Sequence, residues 1–303
     1  MAIRRRMLPM DAIPGLNGFV LYFALPCMLY RFGASSPISQ LLDPTLFLAY
    51  LLCALLMVGF TVAVSLNARI GWDDAAFGAL VAAFPNTGFM GVPLLVALLG
   101  AGAAGPAIVT IVVDLVITTS LCVAMSRLDG ADEHGAARAA KNALKAVLAN
   151  PMPWAISLGV VASAMSYELA GPLAKTVGLL ADSASPVALF TIGAVLARSQ
   201  ALAQASDHAP ILWRDYVPIA CFKLLLHPLL VLLVFSAVIQ LGFVMDRFTM
   251  VVVVLVAALP SASNVALLTE RFGANTGRVA RIILVTTVLA FFTFSGAVAF
   301  LLA

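Results

Sequence analysis

Four ionisable side chains interrupt long apolar stretches of this sequence, and an apolar setting would sharpen the chemistry of each. Asp114 stands in Ile111-Val112-Val113-Asp114-Leu115-Val116. Within hydrocarbon an ionised carboxylate costs about 2.5–3.5 kcal/mol, so Asp114 is expected to turn toward a protein interior. There it either couples a proton or another cation, or serves as a hydrogen-bonded packing residue. Asp182, ahead of Pro186, is a shallower candidate of the same kind. Lys223 and His227 lie four residues apart and share a helix face. Lys223 can pair with Asp114 or Asp182, or draw an anion inward. His227, just before Pro228, is a functional imidazole or a polar residue beside a kink.

A five-residue phrase recurs in mid-stretch, as Val81-Ala82-Ala83-Phe84-Pro85 and as Val256-Ala257-Ala258-Leu259-Pro260. Proline lacks an N–H and its ring opposes the carbonyl four residues earlier, and Gly88 and Gly91 weaken the turn that follows Pro85. The first helix is expected to break around residues 84–88; the second runs from Val251 to Leu259 and breaks at Pro260. Backbone left unpaired at membrane depth is tolerated only where protein or a water-filled cavity satisfies it. A half-helix restarting near Asn86 presents free N–H groups and the positive end of its dipole, which favour a carboxylate. The candidate binding residues are Pro85, Asn86, Thr87 and Gly88 on one helix and Pro260, Ser261, Ser263 and Asn264 on the other. A proline kink capped by Asn86 would explain one copy; the recurrence favours a site.

The elements that position these residues follow from composition. Of 303 residues, 63% are hydrophobic and 10% charged, which no soluble domain could cover with polar surface. The fold class is an all-α polytopic membrane protein. Apolar stretches near the roughly 20 residues that cross a bilayer recur from end to end. They give about nine spans, at 15–33, 45–66, 75–99, 104–125, 151–167, 172–197, 211–236, 247–270 and 278–302. Residues 126–150 form a longer connection, whose segment from Ala136 to Leu148 reads as a basic amphipathic surface helix. The net charge of +3 lacks the clustered basic face that nucleic acid requires, and no Cys/His spacing suggests a metal. Cys27, Cys53, Cys122 and Cys221 are expected to be small buried residues.

Loop charges orient the spans. Arg4, Arg5, Arg6, Arg69, Arg127, Arg138, Lys141, Lys145, Arg198, Arg214, Arg271, Arg278 and Arg281 fall on one side; Arg31, Lys175 and Arg247 fall on the other. The positive-inside rule puts the N-terminus in the cytoplasm and the C-terminus outside, in a bacterial inner membrane. The third and eighth spans then cross in opposite directions, the pattern of an inverted repeat with its site at the midplane. The division is 1–125 and 151–303, joined by the loop 126–150.

Several ordered motifs resemble the auxin efflux carrier family, which includes plant PIN-type exporters and bacterial relatives. The strongest is Pro85-Asn86-Thr87-Gly88-Phe89-Met90-Gly91-Val92-Pro93-Leu94-Leu95. Asn150-Pro151, Pro186-Val187-Ala188-Leu189-Phe190-Thr191-Ile192-Gly193, Lys223-Leu224-Leu225-Leu226-His227-Pro228, and Ala258-Leu259-Pro260 with Phe272-Gly273 follow in order. The resemblance implies ten helices in two inverted repeats of five, with the fourth and ninth crossing at their prolines. The nine spans correspond to family helices two to ten, so the first is expected to be missing.

The expected function is secondary transport of a small organic anion, auxin-like or a dicarboxylate such as malonate, by alternating access around the crossing. No cofactor is called for, and proton or sodium coupling is compatible with the buried carboxylates. The expected partners are the anion and membrane lipid, with a homodimer allowed. The rivals are an anion-binding sensor without transport and an intramembrane enzyme. Against the enzyme, the sequence has no HExxH, no GxGD, and no GxSG with a downstream histidine.

Overall fold

The computed structural model describes residues 9, 11–35, 43–67, 69–128, 151–205 and 212–302. The surface helix expected at 136–148 and the arginines at 4–6 lie outside the described residues. Helices dominate: α1 (Ala12–Ser35), α2 (Pro44–Ser65), α3 (Trp72–Ala83), α4 (Val92–Leu99), α5 (Ala104–Met125), α6 (Pro151–Ala164), α7 (Gly171–Ala205), α8 (Val217–Gln240), α9 (Arg247–Ala257), α10 (Asn264–Phe272) and α11 (Thr276–Leu302). Among the described residues, α1, α2, α5, α8 and α11 are each long and apolar enough to cross a membrane unbroken. At 1.5 Å per residue the 22 residues of α2 reach about 33 Å, enough for the hydrocarbon core.

Helix α2 shows how an apolar sequence is sorted between protein and lipid. Tyr50, Cys53, Met57 and Thr61 repeat every three or four residues and are buried, while Leu48, Leu52, Leu55 and Val64 are exposed. Both faces are apolar, because lipid is as apolar as the core. For the same reason the four cysteines divide. Cys53 and Cys122 are buried as expected, whereas Cys27 is half-buried and Cys221 lies on an exposed face of α8, which corrects the expectation for those two.

Capping and loop contacts establish the alternation of the chain. Asp43 caps α2, its Oδ1 accepting from the N–H groups of Thr45 and Leu46 at 2.9 and 3.0 Å; Asp246 caps α9 through the Thr249 N–H at 2.6 Å. These two carboxylates line one cavity with Gly102, so the α1–α2, α4–α5 and α8–α9 connections share one end of the molecule. At the other end Arg69 pairs with Asp215 at 2.7 Å, Arg278 donates to the carbonyls of Asp74 and Asp215 at 2.8 Å, and Asn275 N–H donates to Asp74 at 2.7 Å. Helices α3 and α9 therefore start from opposite ends and run in opposite senses.

Helices α1, α6 and α7 pack mainly on one another and meet the rest chiefly where α7 lies against α11. The tightest contact is glycine on glycine. A Cβ on Gly33 would lie 2.6 Å from the Ile156 carbonyl oxygen, and one on Gly159 would strike the Tyr30 carbonyl and come 2.9 Å from the Ala34 nitrogen. Backbones this close leave no room for a side chain, the small-residue packing of membrane helices. Replacing Gly159 with valine is expected to cost at least about 1–3 kcal/mol and lower the thermal unfolding midpoint. Gly178→Val, at a position with open space around it, should leave the midpoint nearly unchanged.

Candidate functional site

The recurrent phrase makes both breaks where expected. Helix α3 ends at Ala83, Phe84 is extended (φ −96°, ψ 105°), and a π-helical turn restarts the chain at Thr87–Gly91 before α4. Helix α9 ends at Ala257, two residues before the expected Leu259, and α10 begins at Asn264. The two interruptions lie side by side as a short antiparallel bridge between Pro85 and Ser261. The Asn86 N–H donates to the Pro260 carbonyl at 2.8 Å, and the Ala262 N–H donates to the Phe84 carbonyl at 2.9 Å. Each break thus supplies the hydrogen bond that the other lacks. The Ser261 N–H is taken by Thr286 Oγ1 of α11 at 3.2 Å. Gly91 permits the approach, since a Cβ there would come 2.5 Å from Leu259 Cδ1.

The two breaks bond each other through backbone, but several side chains around them are left unpaired. The buried hydroxyls of Thr87, Ser261 and Ser263 have no hydrogen-bond partner among the described residues. Asn86 and Asn264 are buried beside them. Asn86, Gly88 and Asn264 border a cavity of about 20 Å³ closed on the other side by Leu25, Met28 and Leu29 of α1. That volume holds about one water molecule. All eight residues named from the sequence on the two broken helices, Pro85 to Gly88 and Pro260, Ser261, Ser263 and Asn264, therefore meet at one place.

The buried ionisable groups form a second centre beside the first. Asp114 lies in a π-helical segment of α5, Val113–Thr118, and accepts from Tyr50 Oη of α2 at 2.9 Å and Thr118 Oγ1 at 3.2 Å. Lys223 lies in a π-helical segment of α8, Phe222–Leu226, with its Nζ 2.9 Å from His227 Nδ1. The same Nζ donates to the Ala257 carbonyl at 2.8 Å. Ala257 closes α9 just before the break, so the cation sits on the negative end of the interrupted helix. His227 Nε2 is buried without a partner. Neither expected salt bridge of Lys223 forms. Asp182 is instead exposed and paired with Arg31 of α1 at 2.7 Å, so it stands apart from this centre.

Tyr50, Thr286 and the Ala257 carbonyl were not anticipated. A tyrosine amid Leu46-Phe47-Leu48-Ala49-Tyr50-Leu51-Leu52 signals a buried hydroxyl in need of an acceptor; a backbone carbonyl leaves no trace in sequence. Tyr50→Phe is expected to lower stability by about 1 kcal/mol, the scale of an interhelical hydrogen bond in a membrane protein. Thermal unfolding of the purified protein in detergent reads this directly, and an unchanged midpoint would show that the bond contributes nothing.

With this geometry in hand, the comparisons with known proteins are specific. A family model described as "Membrane transport protein" matches residues 1–298. Over 289 residues the chain is 28% identical to a protein of Rhizobium meliloti (strain 1021) named "Putative malonate transporter", covering 95% of this chain and 87% of that one. The ordered motifs, the paired breaks and the match over nearly the whole length agree: this chain belongs to the membrane transport protein family, the auxin efflux carrier group that its motifs resemble.

Proposed function

We propose that this protein is a secondary transporter of small organic anions, with dicarboxylates of the malonate class foremost, and that the substrate carboxylates bind where α3–α4 crosses α9–α10. The observation that carries this is the set of three buried hydroxyls without partners among the described residues, Thr87, Ser261 and Ser263, with the buried Asn86 and Asn264 beside them, around hydrogen-bonded breaks. Unpaired buried hydroxyls and amides cost free energy unless something bonds to them. A carboxylate does so, and the amino ends of α10 and the turn before α4 favour its charge. The name of the relative supports the substrate class.

A cavity of about 20 Å³ does not accommodate malonate, so binding requires α1 to move off the crossing. The loose attachment of α1, α6 and α7 supports a rocking of that group against the helices that hold the crossing. The opposed senses of α3 and α9 support two inverted repeats, within 1–125 and 151–303. The end bearing Arg69, Arg214 and Arg278 is assigned to the cytoplasm. Asp114, held by Tyr50 and Thr118, is the coupling candidate, with the His227 ring 6.4 Å from that of Tyr50 and Lys223 bonded to both His227 and the Ala257 carbonyl.

Malonate should raise the thermal unfolding midpoint of the purified protein; at 100 times its Kd the stabilisation is about 2.7 kcal/mol. Proteoliposomes should take up labelled malonate saturably, whereas binding without flux would identify a sensor instead. Asn86→Ala should abolish uptake without loss of folded protein, and unchanged kinetics would remove Asn86 from the site. Asp114→Asn should flatten the pH dependence of uptake; a profile identical to that of the parent would rule out proton coupling through this residue.

A further inference from the structure

Away from the crossing, a cavity of about 230 Å³ opens between the end of α2 and the start of α8, bordered by Arg69, Arg214 and Arg278. Asp215 is its one carboxylate, and that charge is already committed. Arg69 holds both oxygens at 2.7 and 2.8 Å, and the Leu212 N–H donates to one of them at 3.0 Å. Arg278 is buried and fixed by the Asp74 and Asp215 carbonyls. Arg214 is exposed and has no partner among the described residues. The cavity thus carries an excess of positive charge at a fixed place.

Below the arginines the wall is apolar and faces outward. Val64 is exposed, and Phe60, also exposed, stacks edge-on against Phe222 with ring centroids 5.1 Å apart. Trp213, next to Arg214, is 68% exposed, the position of an aromatic anchor at the headgroup level. A soluble anion would use the arginines and leave this wall uncovered. A phospholipid uses both, its phosphate among the cations and its acyl chain along Phe60 and Val64.

We infer that this groove is a binding site for the headgroup of an anionic phospholipid, with Arg214 as the contact that selects charge. Basic pockets between membrane helices at the headgroup level recognise lipids in this way. The site is separate from the crossing, and its occupancy is measured without transport, so its failure and that of the transport proposal are distinguishable.

The test is a titration of the purified protein with phosphatidylglycerol and with phosphatidylcholine of identical acyl chains, read by native mass spectrometry. Phosphatidylglycerol should be retained more strongly, and Arg214→Gln should weaken its retention by about fivefold, the effect of one basic residue at a membrane surface. Arg214→Lys should restore most of the loss, and phosphatidylcholine retention should be the same in all three proteins. Equal retention of the two lipids, or an Arg214→Gln protein indistinguishable from the parent, would overturn the inference. Displacement of phosphatidylglycerol by an equal concentration of free glycerol phosphate would overturn it too, in favour of a soluble anion.

Discussion

Two backbone hydrogen bonds hold the centre of this protein together: Asn86 N–H to the Pro260 carbonyl and Ala262 N–H to the Phe84 carbonyl. Each proline ends a helix and leaves polar backbone that lipid cannot satisfy, at a cost of several kcal/mol per unsatisfied group. Neither break is tolerable alone. Placed side by side in antiparallel register they satisfy each other, which requires α3 and α9 to arrive from opposite ends. The capping aspartates Asp43 and Asp246 at one end and the loop arginines Arg69 and Arg278 at the other are how the chain meets that requirement. Because the breaks bond each other through backbone, the hydroxyls of Thr87, Ser261 and Ser263 are left over for another partner.

The charged residues follow from the same constraint. Lys223 places its ammonium on the last carbonyl of α9, where the break has exposed the negative end of a helix dipole. A positive charge that would otherwise be expensive in the membrane interior thereby stabilises the interruption that the site needs. Asp114 has no comparable helix end; it is held by hydroxyls from Tyr50 and Thr118. The two groups reach the same region from different helices without a direct salt bridge.

Much of this was legible in the sequence because the signals are local. Proline removes its own N–H, so Pro85 and Pro260 mark their breaks wherever the chain folds. Mid-span charges such as Asp114 and Lys223 must turn inward, and did. What could not be read depends on helix rotation. Lipid and protein interior are equally apolar, so hydropathy assigns α8 to the membrane without saying that Cys221 faces out while Lys223 faces in. The same ambiguity hid the pairing of Asp182 with Arg31 and left Tyr50 unremarked among leucines. The contact of Gly33 with Gly159 joins segments more than a hundred residues apart, and no spacing within either segment announces it.

The π-helical segments of α5 and α8, and the π turn before α4, add a consequence for how such a chain changes over evolutionary time. A π turn holds one residue more than the α-helical ladder requires, and in α5 the hydroxyls of Thr118 and Thr119 fold back onto the carbonyls of Val113 and Asp114. Deleting a single residue there would alter composition and hydropathy almost not at all and would restore a regular helix. The wide turn takes up the extra residue within itself, so the helix on either side would keep its present faces through such a deletion. What would change is the turn itself, which carries Asp114. Length polymorphism of one residue, which in a regular helix rotates one side against the other by about 100°, is at these positions absorbed locally, at the residues of the buried centre.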